Sequence, residues 1–444
     1  MTLSVSESIQ FSIEDLIIVS KGGNVDIKDI YEEISIHDSI FSSTTHGSVL
    51  IRDAVGLSNR LLFDGTEAIL ITIKKSKDSD LLQYKKSFRI YKQTDRRNIN
   101  QTTENYVLHF VSDELMFSDQ QRINQGYEET YTNIVRRIMI DYLKIPKNSL
   151  GGIYEDSLGI KKVVIPNLRP LEAIEWCSKR SVDVRQSPTF LFYENVTGFN
   201  YVTLSTLLRQ PHIIDIDLTP KNMTSQNQFQ ELSGARNFEI LSQSDSIEKA
   251  RAGVNAGKFI GFDPLTRTYA TRNLAFGDHY TSIKHSENTP NFTSTTNRAG
   301  IKNIEAYDTK VSLSLYGTSR QYSNYIKAKD PTSISKVEDY ENQIFQRRAS
   351  FTHLLSKKLR IVMPGNFQLT TGFNVNVKGP VLGEKETGVE NEDLTYSGKY
   401  LIIASRQLIK PESHETIIEV ASSSSKTGFI ADASKKISNE VMNY

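Results

Sequence analysis

The residues that could do chemistry come in small groups, and each group lacks the partner its chemistry requires. His37, Asp38 and His46 stand close together in sequence, but neither a His-x-x-x-His spacing on a helix nor a cysteine partner accompanies them, so exposed strand or loop positions account for them. The stretch GVNAGK (253–258) has the look of a phosphate-binding loop. It is one residue short between its glycines, and Phe259 stands where Ser or Thr would hold magnesium, so it reads as a helix-to-strand connection. Glu172 and Glu175 are three apart on a predicted helix, where a solvated first turn that favours the helix dipole explains them better than a paired acid and base. No Gly-x-Ser-x-Gly elbow and no Gly-x-Gly-x-x-Gly fingerprint occurs. Asn-x-Thr patterns begin at Asn100, Asn195, Asn222 and Asn291 and carry no meaning without a secretory route. Trp176 reads as a helix packing residue, with partner contact as the alternative. The expectation is therefore a protein that is not an enzyme, with no catalytic residue, no cofactor and no metal ligand.

Composition agrees with a folded, multi-domain chain. Its 444 residues suffice for two to four domains, and 38% hydrophobic with 24% charged residues is ordinary for globular protein. Lys+Arg at 53 against Asp+Glu at 52 leaves net charge +1, so no overall basic field announces a nucleic-acid binder. Cys177 is the sole cysteine, which excludes an internal disulfide or a Cys-rich zinc site and points to synthesis in a reducing cytosol. MTLSVSESIQF has no basic n-region and no apolar h-region, against a signal peptide, and the longest apolar runs, such as Ala68–Ile73, fall far short of a membrane span.

Strand patterns dominate. Val49 and Ile51 alternate with polar neighbours in GSVLIRD; Ile69, Ile71 and Ile73 share one face of EAILITIK; SFRIYKQ (87–93) and NYVLHFV (105–111) follow, with Tyr106, Leu108 and Phe110 on one side. The period then changes: Ile134, Ile138 and Tyr142 predict an amphipathic helix ending before Pro146, and Pro170, Leu171, Ile174 and Cys177 predict a second. FLFYE (190–194) and NYVTLS (200–205) read as a hairpin turning between Asn195 and Gly198. NFEILSQ (237–243) and KFIGFD (258–263) are further strands, the Ser/Thr/Asn-rich 281–300 is a loop, and a helix over 337–358 places Tyr340, Ile344, Phe351 and Leu355 on one flank. GFNVNVKG, GKYLIIASRQLI (398–409) and HETIIEVASS (414–423) then form a meander. Phe373, Val375 and Val377 point one way.

The expected fold class is α+β and predominantly β, with two small antiparallel tube-type barrels in one chain and a mixed α/β segment between them. The division reads 1–125 for the first barrel, 126–225 for the mixed segment, 226–280 with 345–425 for the second barrel, 281–344 for a loop-rich insertion carrying a helix start, and 426–444 for a C-terminal tail.

Two stretches carry a family resemblance. Asp38-Ser39-Ile40, the strand from Gly47 to Asp53, and the Asp64-Gly65-Thr66-Glu67 turn before an Ile-rich strand resemble the first barrel of central baseplate hub proteins of contractile-tailed phages. Gly365, Asn366, Phe367, Leu369, Thr370 and Gly372 resemble the same family's second barrel, and YLIIASRQLI and TIIEVASSSSK follow in the family's order. The resemblance covers most of residues 30–425 and departs from the family at the 281–300 insert. It implies a homotrimer whose subunits each contribute two barrels, giving six similar modules around a channel; Phe373, Val375 and Val377 would then be core positions, and Asn374, Asn376 and Lys378 would face a lumen or a neighbouring subunit. It further implies a virion protein of the tail baseplate, assembled in the bacterial cytoplasm. Its partners would be the spike below and tail-tube or tube-initiator proteins above, with tape-measure and baseplate wedge proteins as further candidates and DNA only in transit. The nearest alternative is the spike-base protein of a type VI secretion system or tailocin, expected to continue into a spike domain where this sequence stops at Tyr444. A tail-associated cell-wall hydrolase and a soluble adhesin are more distant.

Overall fold

The computed structural model describes residues 11–57, 61, 64–74, 83–146, 150–185, 187–218, 234–243, 247, 249, 251, 253–254, 256–263, 267–275, 289–290, 310–315, 340–379, 393 and 396–425. The 426–444 tail, Asn222 and Asn291, and the 281–300 loop apart from Thr289–Pro290 lie outside them.

Alternation of β-branched and polar residues produces the first seven strands: β1 (Ser12–Ser20), β2 (Gly23–Asp26), β3 (Tyr31–Ser39), β4 (His46–Asp53), β5 (Ala68–Lys74), β6 (Gln83–Asn98) and β7 (Glu104–Val111). They pair in the order β3-β4-β7-β6-β5-β1-β2, antiparallel throughout. Because side chains alternate faces, Ile34, Val49, Ile69, Ile71, Phe88, Leu108 and Phe110 all enter one fully enclosed cluster, so the sheet must roll around it. The Asp64-Gly65-Thr66-Glu67 turn is tied by its own acids. Buried Glu67 accepts the Asp64 and Gly65 N–H groups at 3.2 and 3.0 Å, and Asp64 accepts that of Thr66 at 2.9 Å.

The middle of the chain builds α1 (Asp113–Asp119), β8 (Gly126–Glu129), α2 (Tyr131–Asp141), β9 (Lys161–Val164), α3 (Pro170–Ser178), β10 (Phe190–Asn195), β11 (Gly198–Thr203) and α4 (Leu204–Arg209). Thr130 caps α2 by accepting the Asn133 N–H, and Thr203 caps α4 by accepting that of Thr206. Ile134, Ile138, Leu171, Ile174 and Cys177 meet in a second core, and the β10–β11 hairpin closes with Asn195 opposite Gly198. NYVTLS was expected to stay extended to Ser205. Thr203 instead ends the strand, because its hydroxyl turns the chain into α4.

The remainder contributes β12 (His212–Asp217), β13 (Asn237–Ser242), β14 (Ala256–Asp263), β15 (Thr268–Ala275), β16 (Thr289–Pro290), β17 (Lys310–Leu315), α5 (Tyr340–Leu355), β18 (Lys357–Pro364), β19 (Asn374–Lys378), β20 (Gly398–Lys410), β21 (Ser413–Ser422) and β22 (Ser424–Ser425). Six of these strands run β13-β18-β21-β20-β19-β12 around a third core of Leu359, Ile361, Val375, Val377, Ile402, Ile418 and Val420. A bridge from Asp217 to Gly234 brings the two ends of this set back together. β12 and β19 are parallel, as are β14 and β17 in a separate three-stranded sheet with β15; the other strand pairings are antiparallel.

The 13-residue β20 joins the two lobes. Its first residues pair with β19, its length pairs with β21, and Ala404 to Ile409 pair with Ser39 to Ile34 of β3. One 13-stranded sheet therefore runs through both lobes. The protein is α+β and predominantly β, as its alternation pattern predicts.

Candidate functional site

The loop from Gly365 to Phe373 lies where both lobes and the middle segment meet. Gly365 donates its N–H to His414 O at 2.9 Å, and Gly372 donates to Ile402 O at 3.0 Å. A Cβ on Gly365 would enter the His414 ring; Gly372 sits at φ +86°, where a Cβ would strike the Tyr193 hydroxyl. Only glycine fits at Gly372, for both steric and backbone reasons. Between them Phe367 stacks on Tyr84 of the first lobe, ring centroids 4.8 Å apart, while Leu369 enters the third core.

Two buried carboxylates hold this junction. Asp38, on β3, points away from its histidine neighbours into the interior and accepts from Thr370 Oγ1 at 2.6 Å, Thr371 N at 3.0 Å and Thr371 Oγ1 at 2.9 Å. Burial raises its pKa, and the Thr370 and Thr371 bonds oppose that. Glu194, from β10, accepts Thr45 N at 2.8 Å and Ser112 Oγ at 2.6 Å and pairs with Lys86 at 2.5 Å, all three in the first lobe. Beside it Glu114, in the first turn of α1, has its pKa pushed up to about 7, first by burial and then by the Glu194 charge. Tyr84, Tyr193 and their hydroxyls are enclosed as well. Three donors meet one oxygen of Asp38, and both oxygens of Glu194 are engaged, so the arrangement clamps three parts of one chain together.

A second tie is cationic. Arg347 of α5 donates to Ser178 O at the end of α3 and to Pro188 O and Phe190 O, at 3.2, 2.9 and 2.8 Å. Burial lowers its pKa to about 10, so the guanidinium stays charged at neutral pH and serves carbonyl oxygens. Asn374 supplies a third tie, donating to Leu207 O and Gln210 O at the end of α4 at 2.7 and 2.8 Å.

These positions correct several expectations. Asp38 was expected at an exposed strand or loop position and is buried, because Thr370 and Thr371 close over it. Asn374 was expected to face a lumen or neighbour with Asn376 and Lys378; it is fully buried inside its own chain, because α4 covers the face of β19 that alternation marks as outward. Asn376 pairs with Asp215 on the parallel strand β12, and Lys378 is exposed. The buried face of α5 also differs from the expected flank: Phe345, Ala349 and Leu354 are enclosed together with Gln343, Gln346, Ser350 and His353, whereas Ile344, Phe351 and Leu355 are half-buried.

The other sequence candidates separate in space or find structural roles. His37 and His46 are cross-strand partners with stacked rings 5.3 Å apart. Burial, then the neighbouring His46 and Arg406, lowers His37 to about 4, so it is neutral at pH 7. Asp38 faces the opposite side of the sheet, and the three do not converge. GVNAGK runs directly into β14 with Phe259 buried, leaving no helix N-terminus for a phosphate. Glu172 accepts the Arg169 N–H at 3.1 Å and Glu175 pairs with Lys179 at 2.6 Å. Trp176 packs edge-on against Tyr131 and carries the Arg180 guanidinium 3.9 Å above its ring. Asn195 is buried and donates to Thr371 O. Glu194, Thr371 and Arg347 had no sequence signal, whereas Asp38 and Thr370 were both inside the hub-like motifs.

No family model matches the sequence, and no curated protein matches it. Solved structures do resemble its fold. The tail protein from Neisseria meningitidis MC58 superposes with TM-score 0.50 at 10% identity, over 92% of this chain and 96% of that one. The 43 kDa tail protein of prophage MuSo2 from Shewanella oneidensis gives TM-score 0.49 at 9% identity over 92% and 98%. The Escherichia coli c3393 protein, described as a type VI secretion component similar to T4 tail proteins gp27 and gp5, gives TM-score 0.39 at 8% identity over 93% and 76%. The fold assignment rests on the Neisseria structure, nearly end to end in both chains: this chain shares the fold of that tail protein.

Proposed function

We propose that the chain is the subunit of a trimeric central hub of a tail baseplate, a structural virion protein that joins a sixfold tail tube to a threefold membrane-piercing spike. In this reading it has no catalytic activity and forms part of the conduit through which DNA leaves. The observation that carries the proposal is the likeness to a tail protein over 92% of this chain and 96% of the other, in a sequence whose Asp38 and Gly365–Gly372 motifs resemble the hub family. The architecture suits the task. Three copies of a two-lobed chain offer six β modules above a true threefold axis, and one sheet through both lobes passes load between them without a flexible linker. The buried acids serve internal bonds, which fits a part built to hold shape. Tube or tube-initiator proteins would sit above, the spike below, and tape-measure and wedge proteins alongside, in a particle assembled in the host cytoplasm.

Light scattering over a range of concentrations, with negative-stain images of the same sample, tests this reading. A mass of three chains and ring-shaped particles are expected, alone or with the cognate spike protein added. A monomer under both conditions would overturn it. Clearing of a peptidoglycan suspension by the purified chain would overturn the non-enzymatic part.

A further inference from the structure

Strand β6, QYKKSFRIYKQTDRRN, carries Lys85, Lys86, Arg89, Lys92, Arg96 and Arg97. Three of them are engaged by acids: Lys86 by Glu194, Arg89 by Asp113 and Arg96 by Glu104. Lys85, Lys92 and Arg97 are exposed and pair with no acid among the described residues. Their spacing alone would not put them on one face, since an odd separation along a strand reverses the side chain's direction. The register does. Lys85 lies opposite Thr72, Lys92 opposite His109 and Arg97 opposite Asn105, each of which points away from the core that takes Ile71, Ile73, Tyr106, Leu108 and Phe110. Two bulges, between Ile90 and Lys92 and between Thr94 and Arg97, make the correction, the second containing Asp95 at φ +55°. Each bulge adds one residue and restores the outward face for the next free cation.

We propose that this outward face of β6 contacts the phosphate backbone of duplex DNA, and that it is the part of the subunit turned toward the conduit; the second clause rests on the hub reading. At about 3.3 Å per residue, Lys85 to Arg97 spans roughly 35–40 Å, close to one turn of duplex, about 34 Å. The hydrogen-bonded Thr94 and His109 lie along the same face, and the Tyr91 ring, in the first bulge, stands 6.2 Å from that of His109. Three free cations in a chain of net charge +1 give contact that is weak and released by salt, which suits a surface over which DNA must pass without being held.

The test uses the full-length chain, a fluorescently labelled duplex of about one to three helical turns, and anisotropy titrations across a salt series. Native protein is expected to bind, with log affinity falling linearly in log salt. The combined Lys85→Gln, Lys92→Gln, Arg97→Gln variant is expected to lose up to about 2.7 from that slope, roughly 0.9 per phosphate contact, while Lys162→Gln, an exposed cation on β9, leaves it unchanged. Circular dichroism and solution mass, measured on every variant, are expected to match native. An unchanged slope in the triple variant, no binding by native protein at low salt, or displacement of the duplex by polyglutamate at equal charge would each overturn the proposal. Loss of the trimer is a separate readout and bears on the hub reading alone.

Discussion

Asp38 shows what a single buried carboxylate contributes when its partners lie more than three hundred positions away in the chain. Its oxygen gathers three donors from Thr370 and Thr371, and removing it leaves those donors enclosed without an acceptor. Asp38→Ala is expected to lower unfolding stability by about 2–4 kcal/mol, read as a shift in the urea midpoint with little change in slope. Glu114 gives a pH dependence whose sign follows from its shift. Its pKa rises from 4.5 unfolded to about 7 folded, so between those values the folded protein holds a proton that the unfolded chain releases. Its contribution is full below pH 4.5 and is lost as pH climbs toward 7. Urea midpoints of native protein compared with Glu114→Gln should diverge across this window, the variant having the flatter profile; parallel profiles would refute the assignment. Lys86, Asp113 and Glu194 are the charged groups around Glu114 that shape the curve.

Helix α5 is held by apolar burial and by one cation together. Its enclosed face mixes Phe345, Ala349 and Leu354 with Gln343, Gln346, Ser350 and His353, and the polar members gain little from leaving water. Arg347 compensates by satisfying three carbonyls around the end of α3, and Phe351, Leu354 and Leu355 close the contact with the β10–β11 hairpin. Arg347→Met should therefore cost about 2–4 kcal/mol although it keeps most of the side chain's volume, because charge-assisted hydrogen bonds contribute roughly 1.5–3 kcal/mol. Limited proteolysis would show new cleavage within 340–355 if the helix loosens, and an unaltered digestion pattern would count against the anchor. The turn at Gly372 is similarly specific: Gly372→Ala is expected to shift the urea midpoint by more than an alanine on the exposed Gly65 turn does, since only Gly372 has both positive φ and the Tyr193 hydroxyl at its Cβ position.

Across the whole molecule, β20 decides how the parts behave together. Its outer half pairs with β3 of the first lobe and its length pairs with β21 of the second, so neither lobe can open at this seam without breaking the other's ladder. Hydrogen exchange should find the slowest amides in β3, β20 and β21, all exchanging with one free energy of opening. Faster, independent exchange of β3 would mean that the shared sheet does not couple the lobes. Such coupling suits the proposed hub, a part under load between a tube and a spike, and it needs no single residue of unusual chemistry.

Periodicity alone revealed the strands that carry Ile69, Ile71, Ile73, Tyr106, Leu108 and Phe110 and the helices α2, α3 and α5, because these residues obey a local rule: successive strand side chains take opposite faces, and the apolar face is buried. It did not mark β1, β12, β18, α1 or α4. Pro170 likewise marks a helix start, because its fixed φ and missing N–H suit the first turn. Local rules end there. Alternation placed Asn374 on the outward face of β19 but could not say that α4 would cover that face. It identified β20 as a strand without showing that two lobes would share it. Asp38, Glu194 and Arg347 became anchors only once the fold delivered donors and carbonyls from distant segments to enclosed positions, where an unpaired charge costs far more than it does in water. On β6 the cations were plain in the sequence; the two bulges that turn Lys85, Lys92 and Arg97 to one side exist only in the register of paired strands.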